Sequence, residues 1–449
     1  MIQLSDEQTG AINSILDFYK NSEELGFSLT GQAGTGKSTV INQLCNLLDQ
    51  SYIPYVLCAP THKAALVVQR LSGRGALTLH KLLSLTPNIE IFDLDFKELQ
   101  FRVSSKQMNI PYGGLIICDE ASMVNDDLFK LLMLKAEQNK SKVLFISDKA
   151  QLAPVKSRQI SLVYNLKNQY NLTKIYRQSS ESALIDPLQA LRSNSISHFD
   201  THIGEKGSII CTSDLGQFLK MSSEGIKKAI QKSDILEAKI LTYTNARTQA
   251  YNTNIRKLIW QDEQQYHKLE FLTGYENLEY GSGTFFNSMD YVIVTDPVKN
   301  DIYIPEFGIL PGYTFDLYDS LTDMSSPISI IDKEISQDYL TALAELIETV
   351  RLNAINHPDK RAANKIWSLY YKINSSFTTP VDLMYQNRVI KKKSFDYGYA
   401  MTSHKSQGSS INNIYIDMKD INRCSDDEVR RQLQYVALSR TRNNVYIFQ

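Results

Sequence analysis

The stretch "FSLTGQAGTGKST" (residues 27–39) fits G-x-x-x-x-G-K-[ST] through Gly31, Gly36, Lys37 and Ser38, and nothing else in the chain narrows its fold so far. The motif follows an apolar run containing Phe27 and Leu29. It precedes a helical pattern of Val40, Ile41, Leu44, Leu47 and Leu48, which supplies the strand, loop and helix that a phosphate loop requires. Glycines let backbone N–H groups wrap phosphate oxygens, and the helix N-terminus adds positive potential. Lys37 reaches the outer phosphates and Ser38 can ligate Mg2+. The loop from Gly31 through Ala33, Gly34, Thr35 and Gly36 to Lys37, Ser38 and Thr39 is thus expected to hold ATP. The competing reading is an ordinary glycine-rich turn.

The surrounding pattern supports a parallel α/β sheet. "YVLCAP" (55–60), "GLIICDEASM" (114–123) and "KVLFISDKAQL" (142–152) are short apolar runs that end in polar residues, as buried parallel strands do where they carry chemistry at their carboxyl ends. "SDEQTGAINSILDFY" has helical spacing. Between Leu85 and Pro111 the rhythm lapses into a segment that reads as a β-hairpin. It resumes over 238–259 and gives way to a β-rich stretch from about Phe271. Inside that stretch lie two helical patterns separated by His357-Pro358, and the α/β signal returns near Tyr397. Two nucleotide-fold domains, each interrupted by an insertion, account for this order.

At 449 residues with 43% hydrophobic content, the chain can bury more than one core. Lys+Arg 48 against Asp+Glu 49 argues against an indiscriminate polyanion binder, so any nucleic-acid path must be local. The five cysteines are scattered without a C-x-x-C pair, and there is neither an apolar run of membrane length nor a leader at "MIQLSDEQ". A reducing, cytoplasmic setting is the expectation, with no membrane partner.

A second chemical site closes the strand in "IICDEAS". In a phosphate-loop protein a carboxylate here holds the metal, and its neighbour can orient and deprotonate the attacking water. Asp119 is assigned to Mg2+ and Glu120 to the general base; the competing reading is a solvated strand end.

The ordered set "GQAGTGKST", "APTHKAA", "TLHKLL", "IICDEASM", "SDKAQLAPV", "LTKIYRQ", "YAMTSHKSQG" and "YVALSRTR" resembles the motif series of superfamily 1 helicases, specifically the RecD-like group called superfamily 1B, with the size and layout of its bacteriophage members. The motifs span nearly the whole chain. The resemblance implies an ATP-driven motor that moves 5′-to-3′ on single-stranded DNA and separates duplex at a fork. It implies RecA-like domain 1A at 1–85 and 112–185, a pin at 86–111, RecA-like domain 2A at 186–270 and 398–449, and an SH3-like insertion at 271–397 bearing a helical arm at 336–374. A monomer, aided by single-strand-binding or replication proteins, is the expected active form. A bacteriophage source would place it in the host cytoplasm.

Carried onto matching positions, the resemblance makes Gln151 a sensor of the terminal phosphate and water, and Arg177 and Arg440 the two arginine fingers. Tyr176 would stack on adenine, Gln8 would bond its edge, and Gly408 would close the site from the second domain. Gln8 also has a structural reading, because Ser5-x-x-Gln8 is a capping box. The expected DNA contacts are Thr61, His62, Lys63, Thr78, His80, Thr402, Ser403, His404 and Lys405, a mixture that suits sequence-tolerant grip. "RVIKKK" (388–393) reads as a solvated edge or a phosphate track. Phe101, in the hairpin, is either a wedge at the fork or an anchor for its own insertion. Ser147 stands where the family carries glycine, which puts the turn at Asp148 in question; His62 stands where many members carry glycine. Alternatives are a translocase that strips proteins from single strands, an ATPase subunit of a nuclease complex, and a non-hydrolysing nucleotide switch.

Overall fold

Strands rich in apolar residues have little face to give to water, and two sets of mostly buried parallel strands organise the chain. The computed structural model describes residues 4–87, 101–103, 109–152, 161–175, 183–281, 283–386, 388–390 and 392–449, with backbone alone for 86–87 and 101–103. In the first set six parallel strands run in the spatial order Ala76–Thr78, Tyr55–Ala59, Leu115–Cys118, Lys142–Ser147, Gly26–Gly31 and Asn168–Leu172. Helices Asp6–Asn21 and Lys37–Gln50 bury Ile12, Ile15, Val40 and Leu44 with Leu29, Leu57 and Ile146. Helix Asp126–Gln138 buries Leu132 and Ala136 with Ile116, Val143 and Phe145. Each large apolar side chain so buried stabilises by roughly 1.5–3 kcal/mol, which holds the strand ends and their loops in place.

The second set is a five-stranded parallel sheet in the order Ala400–Thr402, Ala238–Thr242, Ile411–Asp417, Thr441–Phe448 and Ile209–Thr212. Helices Leu215–Gln231 and Asn245–Trp260 pack Phe218, Ile226, Tyr251 and Ile255 into one cluster with it. Helix Asp427–Ser439 packs Leu433 and Val436 into another. The α/β class with two RecA-like parallel sheets is the architecture expected from the sequence.

Between these strands the chain builds an antiparallel sheet in the order Val298–Ile304, Gly308–Asp319, Asp290–Ile293, Phe271–Gly274 and Phe395–Tyr397, with Met324–Ile331 on the Gly308–Asp319 strand. Helices Gln337–Asn356 and Lys360–Asn374, parted at His357-Pro358, share a core with it through Leu343, Ile347 and Ile373. The insertion's first and last strands are neighbours, with Leu272 opposite Tyr397 and Gly274 opposite Phe395. Under this root, Arg256 Nε donates to Glu270 at 2.9 Å, the Tyr399 hydroxyl donates to the same carboxylate at 2.5 Å, and Trp260 Nε1 donates to that hydroxyl at 2.9 Å. The hairpin-like segment in the first domain pairs Leu85–Pro87 with Phe101–Val103 antiparallel; residues 88–100 lie outside the described residues. No described helix is long and apolar enough to cross a membrane.

Candidate functional site

A cavity of about 340 Å³ lies between the two parallel sheets. The phosphate loop, Asp119, Glu120 and Gln151 line it from the first, and Gly408, Ser409, Ser439 and Arg440 from the second. The loop's shape comes from its glycines. Gly34 and Gly36 sit at φ 87° and 85°, and a Cβ on Gly36 would fall 2.2 Å from Gln8 Nε2. A Cβ on Gly31 would crowd Thr35 Oγ1 at 2.6 Å, and that hydroxyl donates to Gln32 O at 2.9 Å inside the loop. Gly36 is the N-cap of helix Lys37–Gln50 and brings no side-chain bond, so the amides of the first turn keep their anion-binding character. Lys37 Nζ is held over the loop by Gly31 O at 2.7 Å and Gln32 O at 2.9 Å. Ala33, Gly34, Ser38 and Thr39 also line the cavity.

Gln8 serves both readings in part. Its side chain accepts from Ser5 N at 3.2 Å, completing the capping box, and its Nε2 donates to Thr35 O at 3.3 Å, bracing the phosphate loop. It does not line the cavity itself.

Asp119 follows strand Leu115–Cys118, and its Oδ1 accepts the Glu120 amide at 2.9 Å. Burial, reinforced by the neighbouring Glu120 charge, pushes its carboxyl up to about 7 against the pull of that amide and Lys37. A carboxylate so placed has strong reason to take a cation, and Ser38 faces the same cavity, so the donor set fits Mg2+. Glu120 sits at φ 50°, ψ 38°, a left-handed conformation that costs on the order of 1–3 kcal/mol for a non-glycine residue.

With its amide nitrogen toward Glu120, Gln151 donates to Oε2 at 3.0 Å and accepts from Arg440 Nη2 at 3.2 Å, which bridges the two domains. Arg440 is 5% exposed and is steadied by Val436 O and Ser439 Oγ. The turn in question at Ser147 needs no glycine. Neither Ser147 nor Asp148 has positive φ, and Asp148 Oδ1 accepts Ala150 N at 3.1 Å. A further bridge escaped sequence reading. The Tyr435 hydroxyl, from the second domain, donates to Asp148 Oδ2 at 2.7 Å and lies 3.5 Å from Ala33 N of the phosphate loop. Its only sequence signal was membership of "YVALSRTR". Tyr176 and Arg177 lie outside the described residues.

A second cavity, about 600 Å³, gathers Thr61, His62, Lys63, Thr78, His80, His404 and Lys405, as the motif loops predicted. It adds Lys81, of the motif "TLHKLL", and, from the insertion, Asn277, Asn287 and Ser288, which lie in no motif. Thr61 and Thr78 accept from Ala64 N and Lys81 N as helix caps, each at 3.2 Å. His62 stacks on Phe286 with ring centres 4.2 Å apart. Burial holds the imidazoles of His62, His80 and His404 below their ordinary value, so near pH 7 the cleft's positive charge comes from lysines.

Two expected contacts are not in this cleft. The Thr402 hydroxyl accepts from Lys405 N at 3.4 Å and Ser403 Oγ donates to Thr242 O at 3.1 Å, so both shape the loop from beneath. "RVIKKK" is neither edge nor track at its C-terminal end. Lys392 reaches Glu276 at 3.3 Å and Lys393 reaches Asp396 at 2.5 Å, both lysines being largely buried. For Phe101, both proposed roles lie outside the described side chains.

Phosphate loop, paired carboxylates and an arginine from a second RecA-like domain define a nucleotide-driven motor of the tandem-domain class. Residues 3–214 match the AAA domain family and 397–448 the UvrD-like helicase C-terminal domain. The chain is 25% identical over 469 residues to ATP-dependent DNA helicase dda of Enterobacteria phage T4, covering 99% of this chain and 98% of that protein. In fold it is similar to Pif1 helicase from Candida albicans (TM-score 0.53, 16% identity, 100% of this chain and 95% of that one). It is likewise similar to Pif1 helicase from Bacteroides in complex with ADP-AlF3 and ssDNA (TM-score 0.52, 18% identity, 99% and 92%). Together these likenesses support a helicase of superfamily 1B, the RecD-like group.

Proposed function

We propose that this chain is an ATP-dependent DNA helicase that translocates 5′-to-3′ on single-stranded DNA as a monomer and opens duplex at a fork. One observation carries the coupling. Helix His62–Ser72 lines both cavities, with His62 and Lys63 in the lysine-bearing cleft and Ala64, Val67 and Leu71 in the nucleotide cavity. The second domain repeats the arrangement, because Gln407 lines one cavity and Gly408 the other, and a Cβ added at Gly408 would come within 3.9 Å of Ala64 Cα. A change on one side therefore moves residues on the other.

In this reading the loop amides and Lys37 receive the phosphates, and Ser38 and Asp119 would hold Mg2+, which when bound would neutralise phosphate charge. Glu120 orients water and takes its proton; Gln151 ties that carboxylate to Arg440, so loss of the terminal phosphate is felt in the second domain. Arg177 is the second arginine finger expected from the resemblance. Opening a base pair costs about 1–2 kcal/mol of stacking, within reach of one nucleotide hydrolysed per step. The test is unwinding of forked duplexes with a single tail by the purified chain. ATP-dependent opening with a 5′ tail and not a 3′ tail is expected; hydrolysis stimulated by single strands without opening would mark a translocase instead.

A further inference from the structure

Lysines from both motor domains reach one part of the insertion, which carries a buried carboxylate. Asp290 opens the strand Asp290–Ile293, stands opposite Thr273 in the ladder and accepts that residue's hydroxyl at 2.5 Å. Lys239, 1% exposed in the second sheet, has its Nζ 3.2 Å from Asp290 Oδ1. Lys63, from the first domain, donates to Ser288 O at 3.3 Å, and Asp290 is the carboxylate whose charge acts on it, against Lys239 and Arg440. Lys405 lies with Nζ 3.5 Å from the centre of the Tyr275 ring and feels Asp290 ahead of Lys393, Asp396 and Lys63.

Burial pushes all three ammonium groups down, Lys405 to about 8. Burial works on Asp290 toward protonation, yet Lys239 and Lys63 hold its carboxyl below the usual range. The three buried lysines share Asp290, with Asp396 acting besides on Lys405 alone, so the cluster holds excess positive charge that anions arriving from outside would offset. Lys63 and Lys405 line the 600 Å³ cleft, where such anions would enter, whereas Lys239 does not.

We propose that Asp290 is a positioning residue for DNA grip: it supplies the counter-charge that keeps Lys63 of one motor domain and Lys405 of the other available to strand phosphates. The inference rests on the single-stranded-DNA reading above. It gives the insertion a part in the motor's hold on its track, through a residue outside every helicase motif.

The sign follows from Lys405. Its ammonium is charged below about 8 and loses its proton as pH rises through that value. Neutralising Asp290 lowers the value further, while Tyr275, Lys393, Asp396 and Lys63 still face it. The experiment is fluorescence anisotropy of labelled oligo-dT with the nucleotide-free full chain from pH 6 to 9. In the wild type affinity should fall with a midpoint near 8. In Asp290→Asn the midpoint should move about one unit lower, with binding roughly fivefold weaker at pH 8 and nearly restored at pH 6. Adding Lys405→Arg, which stays charged, should flatten the profile. If the amide variant does not fold, Asp290→Ser, small enough to admit water beside Lys239, carries the same expectation. An unmoved midpoint, or an equal loss at every pH, overturns the proposal. A wild type that does not bind oligo-dT at all overturns the helicase reading instead.

Discussion

Glu120 holds its carboxylate in a left-handed backbone position, one hydrogen bond from Gln151 and one residue from Asp119. Glu120→Gln removes the base and keeps the metal carboxylate, so nucleotide affinity should persist while turnover falls by roughly 10²–10⁴-fold, as single-turnover kinetics would show. Near-normal hydrolysis would take Glu120 out of its role. Asp119 makes a prediction in pH. Its carboxyl, raised to about 7, is largely protonated below that value, so Mg2+ must displace a proton there. The apparent Mg2+ affinity in ATPase assays should fall by about tenfold per unit below pH 7 and level off above it. That Asp119, Glu120 and Lys37 meet at one cavity was legible in sequence, because motif spacing sets them at a strand end and a helix start. Thr402 and Ser403 lie beneath the loop and not in the cleft, because a motif marks the loop and not which of its side chains faces out. Tyr435 was invisible because its partners, Asp148 and Ala33, are far away in sequence.

The hairpin Leu85–Pro87 with Phe101–Val103 rises from the first domain and brings Phe101 to its returning strand. If that ring splits the fork, Phe101→Ala should spare DNA-stimulated ATPase and translocation and slow duplex opening roughly tenfold, the worth of one lost stack of ~1–2 kcal/mol. Stopped-flow unwinding beside ATPase rates decides it, since a joint fall in a less stable protein would mean a packing residue. Elements with strong periodicity were readable, among them the helical pair broken at His357-Pro358. Strand Asn168–Leu172 was not, because "NQYNL" at the edge of the sheet is half exposed and polar. "RVIKKK" misled for the opposite reason: a charge run looks solvated until partners distant in sequence, here Glu276 for Lys392, are folded onto it.

The two cavities share walls but not chemistry, and that separation can be measured. Lys37→Ala should abolish ATPase and unwinding while nucleotide-free protein still binds oligo-dT within a factor of about two, because Lys37 Nζ bonds to Gly31 O and Gln32 O of the phosphate loop and does not line the lysine-bearing cleft. The shared walls require reciprocity. Whatever factor a bound nucleotide analogue applies to oligo-dT affinity, oligo-dT must apply to the analogue, typically about 5–150-fold. Paired titrations that gave unequal factors would exclude a single linked equilibrium. Net charge could not have located the lysine-bearing cleft, because Lys63 and Lys405 are offset by acidic residues elsewhere.

The antiparallel insertion leaves and re-enters the second domain through adjacent strands, stitched at Leu272 and Tyr397 and anchored below by Arg256, Glu270, Tyr399 and Trp260. An appendage joined by two separate linkers would swivel, but one rooted in a shared ladder over a bonded, buried base resists torsion. Load applied at its far end therefore arrives at the root as shear borne by several hydrogen bonds at once, not as peeling that breaks them in turn. The insertion is built as a stiff lever, and the backward force of a duplex resisting separation would be delivered through it to the sheet that carries Arg440.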